Sequence, residues 1–389
     1  MQKIIIEKKS AYGGKELRPF PTLKTRKKNL RFWLEKVGYL KSGAFIGLDI
    51  GSSTVKIVQL EKTQNGWELV KAGVEEISSI VERKEEENIT PLVVRTIRHI
   101  LKKEKIKIDK VVSSICGGGV TQRIVKVPKM EKKELYQVLT WEAKKFVNWP
   151  DSETVLDYLI AGQKENQIEV FLVVAKKRSV EEQISLIKAC GLKPLAIETT
   201  SLALNSALFF KDAKEIGKNL CLLHLGAQST ILNISRDEIP RFSREIKMGG
   251  DDLTYAIAHQ SVCDLNDAEE LKKEVGLELK KEDREVESEQ RKLIRGLISD
   301  QMEKLVNEVN RSFDYFRAEY PGENIEMVWL CGGGAKLKGL DRFLEGKFKR
   351  KVEIFDPFKF FSNTEYGEPI KDITPDLALA LGLATWRGK

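Results

Sequence analysis

A strand–glycine turn–strand motif occurs twice in this chain, and its repetition limits the available folds more than any other feature. The first copy spans residues 46–60, with the sequence IGLDIGSSTVKIVQL, and the second spans residues 222–232, with the sequence LLHLGAQSTIL. In each copy one glycine, Gly51 or Gly226, separates two short apolar strands and precedes small polar residues. Repetition of such a unit is a signal at the level of the whole fold. Two of these hairpins facing each other across a cleft could hold one polyphosphate from both sides.

The first hairpin contains the residue types that bind a phosphate group. Gly51 allows the backbone to turn tightly and to come close to a ligand. The N–H groups and hydroxyls that follow can donate to phosphate oxygens, and Lys56 adds a positive charge. These donors belong to Ser52, Ser53 and Thr54. Asp49 precedes the turn, where a carboxylate suits a divalent metal ion or its water shell. The alternatives are an ordinary hairpin with a polar turn, a structural carboxylate at Asp49 and an exposed strand lysine at Lys56.

A third motif follows at residues 327–340, MVWLCGGGAKLKGL, which predicts a buried strand, a triple-glycine turn and the start of a helix. Without side chains, Gly332, Gly333 and Gly334 leave room for a flat ring to approach the backbone. Lys336 adds a positive charge just beyond them. The chain has no Walker-type phosphate loop and no GxGxxG motif that opens a helix, so neither a P-loop nor a Rossmann dinucleotide site is indicated.

These three motifs, in this order and spacing, resemble the first phosphate loop, the second phosphate loop and the adenosine loop of the actin-like ATPase superfamily. Residues 196–207 and 376–384 resemble its two connecting helices. Within the superfamily the chain is most similar to the PilM family of type IV pilus assembly proteins and next to the FtsA division proteins. The similarity to PilM lies in VKVPKMEKKEL at 125–135, WEAKKF at 141–146, MGGDDLT at 248–254 and AEELK at 268–272. The resemblance covers residues 44–387.

The resemblance implies an α/β chain with the actin-like ATPase fold, in which two domains enclose a nucleotide cleft and an FtsA/PilM-type subdomain is inserted. The implied boundaries are a basic arm at 1–43, the first part of domain 1 at 44–118, the insert at 119–194, a connecting helix at 195–217, domain 2 at 218–366 and a C-terminal connecting helix at 367–389.

The resemblance also implies ATP and Mg²⁺ as ligands, with Asp49 as the metal-binding residue. The implied nucleotide-binding residues are Asp49, Gly51, Ser52, Ser53, Thr54, Lys56, Gly226, Ala227, Gln228, Ser229, Gly249, Gly250, Glu269, Lys272, Gly332, Gly333, Gly334 and Lys336. For Glu269 and Lys272, a solvated helix face is the alternative interpretation.

One residue departs from the family pattern and bears on catalysis. His224 stands at the position that matches Asp49, where the family usually has a second acid. A histidine cannot replace the charge of a carboxylate beside a metal ion. We therefore expect nucleotide binding with slow or absent hydrolysis, and the catalytic residues stay unassigned. A hydrogen-bonded histidine within the core is the alternative interpretation of His224.

The charge of the chain is concentrated at its start. Residues 1–43 contain 12 Lys and Arg against 3 Asp and Glu, which leaves 54 basic and 55 acidic residues in the rest. The body therefore gives no charge argument for nucleic-acid binding, whereas the arm could bind acidic lipids. No run reaches the roughly 18 apolar residues of a membrane span. The five cysteines are scattered in apolar contexts without zinc-type spacing, so we expect reduced core residues.

The leading hypothesis is a cytoplasmic ATP-binding protein of type IV pilus assembly, located at the inner membrane through its partner. By resemblance, the partner is the cytoplasmic N-terminal peptide of a PilN-type inner-membrane protein, held in a groove between domain 1 and the insert. Other pilus assembly subunits could bind as well. One alternative is an FtsA-like membrane tether of a division filament, although the chain ends at Lys389 without the amphipathic helix that such tethers usually carry. The others are an actin-fold small-molecule kinase, which needs a carboxylate base in the cleft, and a nucleotide-free scaffold.

Overall fold

The computed structural model describes residues 45–63, 66–80, 88–210, 218–236, 238–278, 287–359, 361 and 372–386. The basic arm predicted at 1–43 lies outside these residues, as do parts of the connecting segments predicted at 195–217 and 367–389.

The strands of the described residues are β1 (Ile46–Ile50), β2 (Thr54–Thr63), β3 (Gly66–Glu76), β4 (Lys110–Ile115), β5 (Val120–Pro128), β6 (Thr154–Lys164), β7 (Gln167–Lys176), β8 (Lys193–Thr199), β9 (Asn219–Leu225), β10 (Thr230–Arg236), β11 (Ile239–Ile246), β12 (Ile325–Cys331) and β13 (Lys351–Ile354). The α-helices are α1 (Thr90–Lys103), α2 (Lys132–Ala143), α3 (Lys177–Ala189), α4 (Thr200–Leu208), α5 (Gly250–Ser261), α6 (Leu265–Val275), α7 (Glu289–Glu319), α8 (Leu340–Phe348) and α9 (Ala378–Ala384).

Two five-stranded sheets with the same layout form the two domains. The strand order is β3-β2-β1-β4-β8 in the first domain and β11-β10-β9-β12-β13 in the second. In each sheet the first three strands along the chain pair antiparallel, and two later strands extend the sheet in parallel from the first. The two predicted hairpins are β1–β2 and β9–β10. The repeat in the sequence therefore corresponds to the repeat of a whole sheet.

Strand β9 shows why its segment is mostly apolar. All seven of its residues are buried, as expected for a strand whose sheet is covered on both faces. Successive side chains point to opposite faces. Cys221 and Leu223 pack into the core beneath α7, whereas Leu220 and Leu222 pack into the core that contains α9. This alternation puts His224 on the face of Leu220 and Leu222, toward the C-terminal helix.

The longest helix, α7, starts earlier than its apolar spacing predicts. The sequence predicts a helix over 293–318, and the helix runs over Glu289–Glu319. The extra turn forms because Ser288 caps it, with its side chain accepting a hydrogen bond from the N–H of Arg291. The buried stripe recurs every three or four residues. It includes Ile294, Ile298, Met302, Leu305, Val306, Val309, Phe313 and Phe316.

A third, three-stranded sheet, in the order β5-β7-β6, lies within the segment predicted as the insert. Helix α2 covers one face of this sheet through Leu135, Leu139 and Ala143. The opposite face, with Phe171 and Val173, joins the core of the first domain. Helix α3 packs into that same core through Val180 and Ile187.

The connecting helices differ from their predicted bounds. The sequence predicts helix at residues 196–199, but these residues form the end of strand β8, paired with β4 in the first sheet. The helix α4 begins only after Thr199, whose side chain caps it by accepting a hydrogen bond from the N–H of Leu202. At the C-terminal end, a 3₁₀ turn over Thr374–Leu377 precedes α9. Local composition does not separate the two forms, because a short apolar run suits a strand and a helix equally.

Candidate nucleotide site

The two glycine turns have the same geometry. In the first, the N–H of Gly51 donates to the carbonyl of Thr54 at 3.0 Å, and in the second the N–H of Gly226 donates to the carbonyl of Ser229 at 2.9 Å. A side chain at either glycine would press on that same carbonyl, with its Cβ 2.9 Å from the oxygen. The intermediate loop residues are half-buried except Gln228, which is exposed. These loop residues are Ser52, Ser53, Thr54, Ala227 and Ser229.

The second loop is bonded to the start of helix α5. The N–H of Gly250 donates to the carbonyl of Gly226 at 2.9 Å, and the N–H of Asp251 donates to that of Ala227 at 2.8 Å. A Cβ on Gly249 would lie 2.6 Å from the carbonyl carbon of Ala227. Gly249 is therefore required for packing against the loop, whether or not a ligand also approaches it.

The triple-glycine turn touches both the second sheet and the C-terminal segment. Gly332 has a φ of 82°, and a Cβ there would lie 2.5 Å from the carbonyl oxygen of Leu225 at the end of β9. The N–H of Gly332 donates to the carbonyl of Pro375 at 2.8 Å. A Cβ on Gly333 would lie 3.2 Å from Oδ1 of Asp376, and one on Gly334 would lie 2.8 Å from Cβ of Leu225. A side chain at Gly332 or Gly334 would overlap Leu225, so both positions require glycine for packing against β9.

Asp49 and Lys56 form a buried ion pair on the first hairpin. They are directly opposite each other in the β1–β2 register, and the Lys56 Nζ lies 3.1 Å from the Asp49 Oδ2. The Oδ2 atom has no hydrogen bond of normal geometry from the described residues. Burying a carboxylate with a single incomplete partner is costly. Lys56 is thus not the exposed strand lysine of the alternative interpretation.

His224 is neutral and incompletely satisfied. Burial lowers its pKa to about 4, against the opposing charges of Asp49 and Asp376. Within the described part of the chain, its Nε2 atom has no hydrogen-bond partner. The alternative interpretation, a core histidine with its hydrogen bonds satisfied, therefore does not hold for the Nε2 atom. The charges of Asp49 and Asp376 both raise the pKa of His224. The first hairpin, β9 and the C-terminal segment therefore meet near this side chain.

Asp376 is a buried acid of the site that the sequence motifs did not mark. Its side chain is 4% exposed, and its Oδ2 lies 2.8 Å from the Nζ of Lys336. The signal that could have marked it is a single acid in an otherwise apolar Ile-Thr-Pro-Asp-Leu-Ala stretch, residues 373–378. A lone charge at the start of a buried helix calls for a physical explanation.

Glu269 and Lys272 belong to a network that joins helix α6 to the start of α5. The Nζ of Lys272 donates to the carbonyl of Gly250 at 3.0 Å, to Oγ1 of Thr254 at 2.9 Å and to Oε2 of Glu269 at 2.6 Å. Burial alone would raise the pKa of Glu269, but the charge of Lys272 and the hydrogen bonds from Lys272 and Thr254 outweigh it, so the pKa is lowered. A solvated helix face does not describe these residues.

The residues around the cleft fit a polyphosphate better than a metal alone. Two glycine turns, Lys56 and Lys336 offer donors and positive charge for phosphate oxygens. Among the residues that the structure describes, no three His, Cys, Asp or Glu side chains are grouped closely enough to hold a metal ion. Magnesium, however, usually keeps several waters and takes one or two carboxylates together with phosphates. Asp49 can supply such a carboxylate.

Two other predictions concern the cysteines and membrane spans. All five cysteines are free, and Cys190, Cys221 and Cys331 are buried as expected. Cys116 is exposed and Cys263 is half-buried, so the expectation of core positions is wrong for Cys116. Cys116 follows directly after β4, where the strand leaves the sheet. Among the described residues, no helix has the length and apolar character needed to cross a bilayer.

Comparison with known proteins identifies the family. The sequence pattern of the type IV pilus assembly protein PilM family matches residues 47–388. The chain belongs to this family. Among solved structures, the chain is similar to the PilM-PilN type IV pilus biogenesis complex, with 27% identity, a TM-score of 0.72 and coverage of 87% of this chain and 97% of that one. Membership of the family confirms the resemblance drawn from the sequence.

More distant similarities concern the fold. MreB5 of Spiroplasma citri bound to ADP shares 15% identity with a TM-score of 0.52, covering 88% of this chain and 95% of that one. The ethanolamine utilization protein EutJ of Carboxydothermus hydrogenoformans shares 13% identity with a TM-score of 0.51, covering 93% and 98%. The cell division protein FtsA of Bacillus subtilis (strain 168) is 22% identical over 260 residues, which is 60% of this chain and 58% of FtsA. The chain therefore has the predicted actin-like ATPase fold, and its match to FtsA spans less than two thirds of that protein.

Proposed function

We propose that this pilus assembly protein binds ATP with Mg²⁺ between its two domains and binds the N-terminal peptide of a PilN-type inner-membrane protein. The peptide would place the protein at the cytoplasmic side of the inner membrane. Hydrolysis is slow or absent, and the nucleotide serves mainly to set the conformation and the affinity for the partner.

The observation that carries the nucleotide proposal is the pair of equivalent glycine turns. Gly51 and Gly226 make the same hydrogen bond in two sheets of the same layout. The second turn is also joined through β9 to the triple-glycine turn, because a Cβ at Gly332 would meet the end of that strand. The second glycine turn and the triple-glycine turn thus lie at the same end of β9, where one nucleotide could contact both. MreB5, which has this fold, was solved with ADP.

Slow hydrolysis follows from His224. Because burial lowers the pKa of His224 to about 4, its imidazole is uncharged at neutral pH and supplies no negative charge. It can order water but cannot stabilise a metal ion as a carboxylate would. Replacement by an acid, His224→Asp, should raise turnover. A wild-type turnover of many per second would contradict this part of the proposal.

Support for the partner comes from the related complex and from a cavity in this chain. The similar PilM structure was solved together with PilN. A polar cavity of about 220 Å³ lies where the first domain, the insert and β11 meet, with Gln122, Thr200 and Ser243 in its wall. Glu245 also lines it, close to Gly117. Hydroxyl and amide groups can bond an extended peptide, and a carboxylate can pair with its amino terminus.

The nucleotide proposal is tested by calorimetry on nucleotide-stripped protein with ATP and Mg²⁺. Asp49→Ala should weaken binding. The matched control Glu61→Ala removes an exposed acid at the far end of β2 and should leave binding unchanged. If the wild-type protein showed no binding at millimolar ATP, the assignment of the cleft would fail.

The partner proposal is tested by fluorescence anisotropy with the labelled N-terminal peptide of a PilN-type protein. A scrambled peptide is the control. Binding should weaken when the amino terminus is acetylated or when Glu245 is changed to Gln. Equal binding of the native and scrambled peptides would refute the partner assignment. Equal binding of the free and acetylated peptides would remove the role given to Glu245.

A further inference from the structure

Asp376 is buried in a place where an acid has no evident structural use. It lies in the 3₁₀ turn over Thr374–Leu377, whose four residues are all buried. Its Oδ2 has no hydrogen bond of normal geometry from the described residues, although the Nζ of Lys336 is 2.8 Å away. Lys336 is itself 45% exposed, so it is a flexible and screened partner. A carboxylate kept at such a cost indicates a function that the isolated protein does not display.

The fold brings Asp376 against the triple-glycine turn. The carbonyl before it, that of Pro375, accepts the N–H of Gly332, so the segment is fixed to the triple-glycine turn. Cys331, directly before Gly332, pairs with His224 in the sheet. From the other domain, β1 packs on α9, since a Cβ on Gly47 would lie 2.5 Å from the N atom of Ala384. Asp49 follows two residues later on that strand.

The pKa of His224 reports the same convergence. Both Asp49 and Asp376 raise it, against the larger effect of burial. After burial, the charges of both acids also raise the pKa of Cys331 in the neighbouring strand. His224 itself adds a buried Nε2 with no partner among the described residues. Two buried carboxylates from different parts of the chain and one neutral imidazole therefore converge near the end of β9.

Each of the two buried carboxylates has one lysine as its counter-ion. Asp49 is beside Lys56, and Asp376 is beside Lys336. A polyphosphate would attract both lysines, because ammonium groups bond phosphate oxygens well. The two carboxylates would then lack their counter-ions. A divalent cation bound to the same polyphosphate would give the two carboxylates a positive charge in place of the lysines.

We propose that Asp376 is the second carboxylate of the nucleotide site, acting with Asp49 on the water shell of the divalent cation and taking over the charge that His224 lacks. The inference rests on the nucleotide binding proposed above. Contact through water is required, because the described residues offer no three-ligand metal cage. The competing explanation is structural, with the Lys336–Asp376 pair serving only to fix the triple-glycine turn.

The two explanations differ in how nucleotide affinity depends on magnesium. The measurement is the affinity for a fluorescent ATP analogue with Mg²⁺ and with EDTA, for the wild-type protein, Asp376→Asn and Lys336→Met. The control Asp372→Asn removes an exposed acid four residues away. Asp376→Asn should lose about tenfold or more of the gain that Mg²⁺ gives, as outer-shell substitutions do, with affinity in EDTA maintained. Lys336→Met should keep the wild-type ratio of the affinity with Mg²⁺ to the affinity with EDTA, even if both affinities fall.

Several results would overturn the inference. If Mg²⁺ increased the nucleotide affinity of Asp376→Asn as much as it does for the wild type, Asp376 would have no role at the metal. If the affinity fell equally with Mg²⁺ and with EDTA, the role of Asp376 would be structural. Absence of nucleotide binding by the wild-type protein would instead refute the proposed function, and this inference with it. Should Asp376→Asn not fold, the electron paramagnetic resonance of Mn²⁺ bound with ADP to Asp376→Glu decides. A spectrum changed from wild type supports the role, and an unchanged one refutes it.

Discussion

The crossing of the two connecting helices should tolerate no side chain larger than hydrogen at residue 382. Gly382 of α9 faces α4 so closely that a Cβ would overlap the carbonyl oxygen of Ala203 and lie 2.6 Å from its carbonyl carbon. Ordinary contacts begin at about 3.4 Å, so the helices would have to separate. They cannot do so freely, because β1 packs against α9 with Gly47 at the contact.

We therefore expect Gly382→Ala to destabilise the protein. Overpacking costs about 1–3 kcal/mol where side chains can shift, and here the obstacle is buried backbone, so roughly 3 kcal/mol is the relevant value. The better helix propensity of alanine returns about 1 kcal/mol. The net loss of about 2 kcal/mol corresponds to a fall in Tm of roughly 4–8 °C for a cooperative unit of 150–250 residues.

The assay is thermal unfolding by calorimetry, with Gly296→Ala as the matched control. Gly296 lies within helix α7, and a Cβ there would meet no atom of the described residues within 4 Å. The same substitution should then stabilise by up to about 1 kcal/mol. If Gly382→Ala unfolded at or above the wild-type temperature while Gly296→Ala behaved as expected, the argument from helix contact would be wrong.

Three further predictions concern stability. Val262 ends helix α5 in the left-handed region, with φ 51° and 91% exposure, so Val262→Gly should stabilise by about 0.5–1 kcal/mol after the entropy cost of glycine; a lower Tm would contradict this. Because the pKa of His224 falls from 6.5 to about 4 on folding, only the unfolded state gains its proton between these values, and stability is lost as pH falls. Urea titrations of wild type and His224→Gln at pH 7 and pH 4 should therefore show the wild type losing up to roughly 3 kcal/mol more; parallel losses would show that His224 titrates normally. Glu169 of the insert pairs with Arg241 of the second domain at 3.0 Å, each 18% exposed, so a double-mutant cycle with glutamine at both positions should give a coupling of about 1 kcal/mol, whereas additive effects would show no energetic link.

The fold was predictable where local pattern and repetition agree. The two glycine turns are evident because each interrupts two short apolar strands, and the same hydrogen bond closes both. The order of the motifs along the chain then indicates one family of folds. Cys221 and Leu223 could be placed in the core from their strand alone, since five of the seven residues of β9 are apolar.

Other features depend on contacts between distant segments and could not be derived from local pattern. Asp376 sits among apolar residues, and its place at the cleft follows from the bond between Gly332 and Pro375, 43 residues apart. Gly249 looks like a ligand-binding glycine, yet its missing side chain makes room for Ala227. The sequence predicts a helix over 196–199, but these residues form a strand because they pair with β4, a contact that local composition does not reveal.

The proposed site and the junction between the two domains share one segment of the chain. Asp376 precedes α9 by two residues, and α9 is buried between β1 of the first domain and α4. The triple-glycine turn is bonded to the same segment through Pro375. Any rearrangement of Asp376 that a ligand produces must therefore act on α9 at its first turn. Gly382 and Gly47 leave α9 no space to slide, so we expect such a change to rotate the two domains about this crossing. Nucleotide binding would then change the position of the insert directly.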